Sequence, residues 1–153
     1  MVCVIFLEEG LLRFMVGKLN QKFCSLSRVV PLVLIVDDDR DNLLFISCIL
    51  DALNLDYISA ISSGEAINFA INQQPNLILL DIVMPEIDGM EITRRLKENS
   101  FTKHIPIVAV TGLTLDKHKQ IIQEAGCDGY ICKPFLIEEM EQTIASFLNI
   151  CLI

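Results

Sequence analysis

From Pro31 onward the chain alternates short aliphatic runs with longer segments in which apolar residues recur every three or four positions. The runs "LVLIV" (32–36), "DYISAI" (56–61), "LILLD" (77–81), "IPIVAV" (105–110) and "GYIC" (129–132) predict strands. Several are apolar throughout, the pattern of strands covered on both faces. Helices are predicted at 40–53, 63–73, 88–99, 114–125 and 136–150. Five strand–helix units in succession predict an α/β fold, a parallel sheet wound right-handed with helices on both faces. In the last helix Leu136, Met140, Ile144, Phe147 and Cys151 share one stripe, while Glu138, Glu141, Gln142 and Asn149 share the other. The boundaries carry matching signals: Ser63 as an N-cap, "QQP" closing the second helix, and Gly126 as a left-handed cap after the fourth.

Composition narrows the function classes. The 153 residues carry a net charge of −8, which disfavours nucleic acid and anionic membranes as partners. Residues 1–31 hold a balance of +2, leaving −10 for 32–153. That asymmetry divides the chain into an N-terminal leader, 1–31, and one domain, 32–153. The leader has mixed helical periodicity, with Phe6, Leu11, Phe14, Val16 and Leu19 among charges. A disordered leader, a misassigned start and a docking helix all fit it. Its apolar run "VCVIFL" is short and meets Glu8 and Glu9, and no run reaches the ~18 apolar residues of a membrane span. Cys3, Cys24, Cys48, Cys127, Cys132 and Cys151 form no CxxC and no zinc spacing, and read as small buried apolar residues in a reducing cytoplasm. The expectation is a soluble, cytoplasmic protein.

The candidate chemistry begins at "VLIVDDDRDN", residues 33–42, where a buried strand runs into three consecutive aspartates. Two carboxylates about 4 Å apart at an effective dielectric near 20 repel by roughly 4 kcal/mol. A divalent cation would offset that repulsion. In open α/β sheets ligands bind beyond the carboxyl ends of the strands. Asp37 and Asp38 follow strand one, Asp81 ends strand three, Thr111 follows strand four and Lys133 follows strand five. Magnesium is commonly held by one or two carboxylates, waters and a substrate phosphate. A carboxylate can also attack phosphorus to give an aspartyl-phosphate. Asp81, central in this edge, is the natural acceptor, with Lys133 and Thr111 left to bind phosphoryl oxygens.

At these residues the chain resembles the receiver domain of two-component response regulators. The resemblance covers about 32–150 and rests on "LIVDDD", "LILLDIVMPEIDGME", "IVAVTG" and "GYICKPF", with 43 residues from Asp38 to Asp81, 30 on to Thr111 and 22 on to Lys133. It implies a doubly wound, flavodoxin-like five-stranded sheet of order 2-1-3-4-5. It implies that Asp37, Asp38, Asp81 and the Val83 carbonyl hold Mg²⁺, and that Asp81 accepts a phosphoryl group from a histidine kinase or histidine phosphotransfer protein. Thr111 and Lys133 would contact the phosphoryl oxygens, and Tyr130 would be a rotameric switch. Gly112 would be the small residue beside the site, and Lys133–Pro134 a cis peptide. Since only "CLI" follows the last helix, a stand-alone receiver acting on a downstream protein target is expected.

Val83 and Leu113, two residues beyond the acceptor and the threonine, are apolar and cannot orient water, so slow loss of the acyl phosphate is expected. Asp39 and Asp41 read as first-turn residues complementing a helix dipole, and His104 and His118 as surface or packing residues. The closing "FLNICLI" puts Ile150, Leu152 and Ile153 off the apolar stripe, which suggests a symmetric dimer through the fourth and fifth helices and the fifth strand. The competing enzyme class is a magnesium phosphohydrolase of haloacid-dehalogenase type. That class carries its nucleophile in a DxD after the first strand, whereas here the position two past Asp81 is Val83. A flavodoxin-like FMN site would need a phosphate cradle where three aspartates stand.

Overall fold

The computed structural model describes residues 30–84, 88–112, 120 and 122–152. Its elements are β1 (Leu32–Val36), α1 (Arg40–Ala52), β2 (Asp56–Ala60), α2 (Ser63–Gln73), β3 (Leu77–Asp81), α3 (Gly89–Glu98), β4 (Ile107–Thr111), β5 (Gly129–Cys132) and α4 (Ile137–Leu148). All strand pairs are parallel, in the order β2-β1-β3-β4-β5, as expected. The leader, but for Val30 and Pro31, lies outside the described residues, as do Leu113, His118, Ile153 and most of the helix predicted at 114–125. Gln120 and residues 122–124 of that segment are helical.

Alternation along the strands builds two cores, since successive side chains point to opposite faces. Val33, Ile35, Leu77, Leu79, Val108 and Val110 pack with Leu43, Ile46 and Leu50 of α1 and Met140 and Ile144 of α4. Leu34, Val36, Ile78, Leu80 and Ala109 pack with Ala66 and Ala70 of α2 and Ile92 and Leu96 of α3. β1, β3 and β4 are therefore covered on both sides, which is why they read as unbroken aliphatic runs. A sheet so covered exposes polar chemistry only at its ends.

Several boundaries differ from the sequence expectation for local reasons. β4 begins at Ile107 because Pro106 has no N–H to give; its carbonyl accepts from Ile78 N at 3.0 Å. The α2 cap is Ser62, not Ser63: Glu65 N donates to Ser62 Oγ at 3.2 Å, and Ile61 N donates to Glu65 Oε2 at 2.9 Å. Ahead of Pro75, Gln74 closes α2 in the left-handed region, its amide donating to the Ala70 and Ile71 carbonyls. Gly126 does take the expected left-handed conformation, at φ +102°.

The apolar stripe expected of the last helix is shorter than its sequence pattern. Met140 and Ile144 are buried, but Leu136 is the cap residue and 71% exposed, and Cys151 lies exposed beyond the end. Ile150, expected off the stripe, packs against the core, and of the three closing apolar residues Leu152 is exposed. The cysteines also correct the expectation of burial: Cys127 is buried, Cys132 half-buried, and Cys48 and Cys151 exposed. Cys48 is exposed because it falls on the outer face of α1, between the inward positions Ser47 and Ile49.

Candidate functional site

The β1–α1 turn resolves the aspartate run into three roles. Asp37 is 1% exposed and leaves β1 facing inward. Its Oδ1 accepts from Asp39 N at 2.9 Å and from Asn42 Nδ2 at 3.3 Å. Asp39 is the N-cap of α1 rather than a first-turn residue, its Oδ1 accepting from Asp41 N at 2.9 Å, while Asp41 does lie in the first turn as expected. Asp38 faces solvent. The three acids thus differ in burial and in partners, Asp37 being buried and bonded on both oxygens and Asp38 exposed.

Asp81 ends β3 and is 7% exposed. Its Oδ1 accepts from Val83 N at 2.8 Å, and its Oδ2 accepts from Lys133 Nζ at 2.7 Å. The same ammonium reaches Asp37 Oδ2 at 3.1 Å. One lysine from beyond β5 thereby bridges the carboxylates that leave β1 and β3. The cis Lys133–Pro134 bond follows directly, and Lys133 N donates to the Thr111 carbonyl at 2.7 Å, fastening the loop to the end of β4. Thr111 is fully buried there, and Tyr130 is half-buried on the α2/α3 side of the sheet.

Electrostatics follow from this burial. Desolvation pushes the Asp81 carboxyl above its ordinary value and Asp37 adds to the rise, against the opposing hydrogen bonds from Lys133 and Val83. Burial works against the charge on Lys133, but the hydrogen bonds and attraction of Asp81 and Asp37 outweigh it and hold the amine above its usual range. The charged form of the amine is therefore favoured by its partners, while burial disfavours the charged form of Asp81.

The expected residues Asp37, Asp81, Thr111 and Lys133 all lie at the carboxyl edge of the sheet, with exposed Asp38 and Val83 at its rim. Among the described residues no three acidic, histidine or cysteine side chains already converge as a metal cage. Lys133 stands between the two buried acids, and Asp38 is exposed. The donor set nonetheless suits a hard cation, because Mg²⁺ takes oxygen ligands and needs only one or two carboxylates beside its waters.

Two features escaped the sequence reading. Asn42 touches the site through Asp37, and its signal was a polar amide at the third position of α1, where side chains turn back toward the helix start. Gly89 opens α3 so close to β3 that a Cβ there would lie 2.5 Å from the Asp81 carbonyl oxygen and 2.7 Å from Ile82 Cα. Beside the acids, Asn42, Phe45, Ile46, Lys133, Pro134 and Phe135 line a hollow of about 240 Å³. A larger groove of about 410 Å³, around Val30, Leu53, Leu55 and Ile150, lies at the opposite end of the sheet and shares no residue with the acids. Size alone would misplace the chemistry.

Comparison with known proteins agrees with the geometry. Residues 33–145 match the response regulator receiver domain. The chain is 35% identical over 117 residues to the polar-differentiation response regulator DivK of Brucella ovis, covering 76% of this chain and 95% of that protein. DivK of Brucella anthropi is 34% identical over the same length. Among solved structures, chemotaxis protein CheY4 of Vibrio cholerae superposes with a TM-score of 0.74 at 28% identity, over 78% of this chain and 100% of that one. The receiver domain of a sensor histidine kinase from Pseudomonas aeruginosa, which has a magnesium ion coordinated in its active site cleft, gives 0.72 at 25% identity, over 79% and 99%.

Proposed function

The chain belongs to the response regulator receiver domain family of two-component signalling, and from that premise we propose that Asp81 is its phosphoacceptor. The donor is a phosphohistidine on a histidine kinase or a histidine phosphotransfer protein. A carboxylate oxygen of Asp81 attacks phosphorus in line; the new P–O bond forms as the P–N bond breaks, and the electron pair leaves with the imidazole nitrogen. The observation that carries the reading is Lys133 Nζ at 2.7 Å from Asp81 and 3.1 Å from Asp37. An ammonium so placed needs only to exchange one Asp81 oxygen for a phosphoryl oxygen, neutralising charge where it develops.

Asp37, Asp38, Asp81 and the Val83 carbonyl would hold Mg²⁺, which when bound supplies further neutralisation of the transferring group. The Thr111 hydroxyl donates to a phosphoryl oxygen, and Tyr130, on the neighbouring strand, changes rotamer with it to report occupancy. Output passes to a downstream protein target. Exposed apolar residues beside the site support a protein partner: Leu44 is 64% exposed, and Phe45, Leu136 and Ile137 are exposed near it in sequence or across the aromatic contact of Phe45 with Phe135. No helix of the described residues is long and apolar enough to cross a membrane. Ile150, one of the closing apolar residues on which a symmetric dimer was expected to rest, packs against the core instead; sedimentation with and without beryllium fluoride tests self-association.

Incubation with acetyl phosphate and Mg²⁺, followed by intact-mass spectrometry, tests the acceptor. Wild type is expected to gain the mass of one phosphoryl group, labile in acid and base, and Asp81→Asn none. Full labelling of the variant would sink the assignment.

A further inference from the structure

We propose that Asn42 is a positioning residue for the cation site, holding the Asp37 carboxylate so that Oδ2 faces Lys133 and the incoming Mg²⁺; this rests on the metal reading above. The reasoning starts from hydrogen-bond capacity. Asp37 is almost fully buried, and each of its oxygens is separately engaged. Oδ1 accepts from Asp39 N and Asn42 Nδ2, while Oδ2 accepts from Lys133 Nζ. An ionised carboxylate only accepts, so Asn42 must present its NH₂ group to it.

With Asp39 N alone, Oδ1 would have one anchor, and the carboxylate would be held only there and at Lys133 Nζ. The second donor, arriving from α1, turns one anchor into two. Asn42 occupies the third position of α1, counting from the Asp39 cap, where a side chain ordinarily reaches back to a backbone N–H at the helix start. Here it passes the cap and bonds a side chain five residues upstream. No helix requirement is met by that bond, since Asp39 already caps α1. Phe45 and Phe135, in ring contact at 5.9 Å, line the same hollow as Asn42 and Lys133. Ligands whose outer partners fix their orientation bind metal more tightly, and loss of such a partner commonly costs 10–100-fold in affinity.

The test compares wild type with Asn42→Leu, which keeps the side chain's bulk and favours helix, and Asn42→Ala as a second variant should the leucine fit poorly. Mg²⁺ affinity is read by isothermal titration calorimetry, and the stability of the metal-free protein by urea denaturation in EDTA. The expected result is a Kd about tenfold weaker in the variants, with the denaturation midpoint little changed. Equal affinity in wild type and a folded variant overturns the role of Asn42 and leaves the metal reading standing. Loss of affinity only in step with loss of metal-free stability also overturns it, marking Asn42 as a structural bond. If wild type itself binds no Mg²⁺, the metal reading falls and this inference with it.

Discussion

Lys133→Met removes the bridge between Asp37 and Asp81 while keeping the aliphatic stem that packs at the site. Each ion pair, at 2.7 and 3.1 Å, carries about 5 to 6 kcal/mol of attraction at an effective dielectric near 20. Much of that is offset by the cost of drying the charges, so the raw attraction overstates the effect. What the substitution leaves behind is the larger matter, because two nearly buried carboxylates then lose their common counter-charge. Breaking a buried pair from one side costs about 3–5 kcal/mol. Lys133 itself is 24% exposed, so water reaches the site and the low end applies. Metal-free Lys133→Met is therefore expected to lose about 3 kcal/mol, or roughly 10 °C in melting temperature. Urea denaturation in EDTA, followed by circular dichroism, measures it. Asp81→Asn added to Lys133→Met should recover a good part of the loss, since one of the stranded charges is gone. A single variant within about 0.5 kcal/mol of wild type would refute the account of the bridge, because the acids would then not depend on it.

Asp81→Asn alone is expected to stabilise the metal-free protein near neutral pH: the folded-state carboxyl is raised, so ionising it costs stability as pH rises from its unfolded value through its folded one. That advantage should vanish as pH falls below the ordinary carboxylate value, where wild type is protonated in both states; an advantage that persists in acid would contradict the burial argument. Gly89→Ala is expected to cost about 1–3 kcal/mol in denaturation experiments, because its Cβ meets fixed backbone of β3 rather than a yielding side chain. Val83 is 51% exposed beside the proposed acceptor Asp81 and cannot orient water, so Val83→Asn is expected to quicken loss of the acyl phosphate; equal phosphate release from both proteins at fixed Mg²⁺ would show that this position does not limit hydrolysis.

Much of the candidate site was legible because strand-end positions are determined by strand lengths. Once "LVLIV", "LILLD" and "GYIC" are strands of one parallel sheet, Asp37, Asp81 and Lys133 must emerge at one edge. The place of Asp39 and Asp41 at the start of α1 was legible for the same kind of reason, although Asp39 proved to be the cap and not a residue of the first turn. Asn42 and Gly89 were not. An amide at the start of a helix has many acceptors within reach, and nothing along the chain says it will choose a buried carboxylate. A glycine opening an amphipathic helix looks like a loose end until β3 is packed 2.5 Å from its missing Cβ.

The chain by itself determined element type, order and the two-sided burial of β1, β3 and β4, because those follow from side-chain period and from the aliphatic composition of each run. It also determined which residues could carry chemistry, since polar groups are scarce in so apolar a sheet and fall where strands stop. Only the tertiary structure decided how the three aspartates divide their work. Asp37 turns inward to Lys133, ninety-six residues away, while Asp39 turns to its own helix and Asp38 to solvent. It also decided that Ile150 joins the core and Leu136 does not, against the helical stripe that grouped Leu136 with Met140. In both cases the outcome depends on where other elements lie in space: a carboxylate follows the nearest donor and an aliphatic follows the nearest dry surface, and periodicity along one segment carries neither distance.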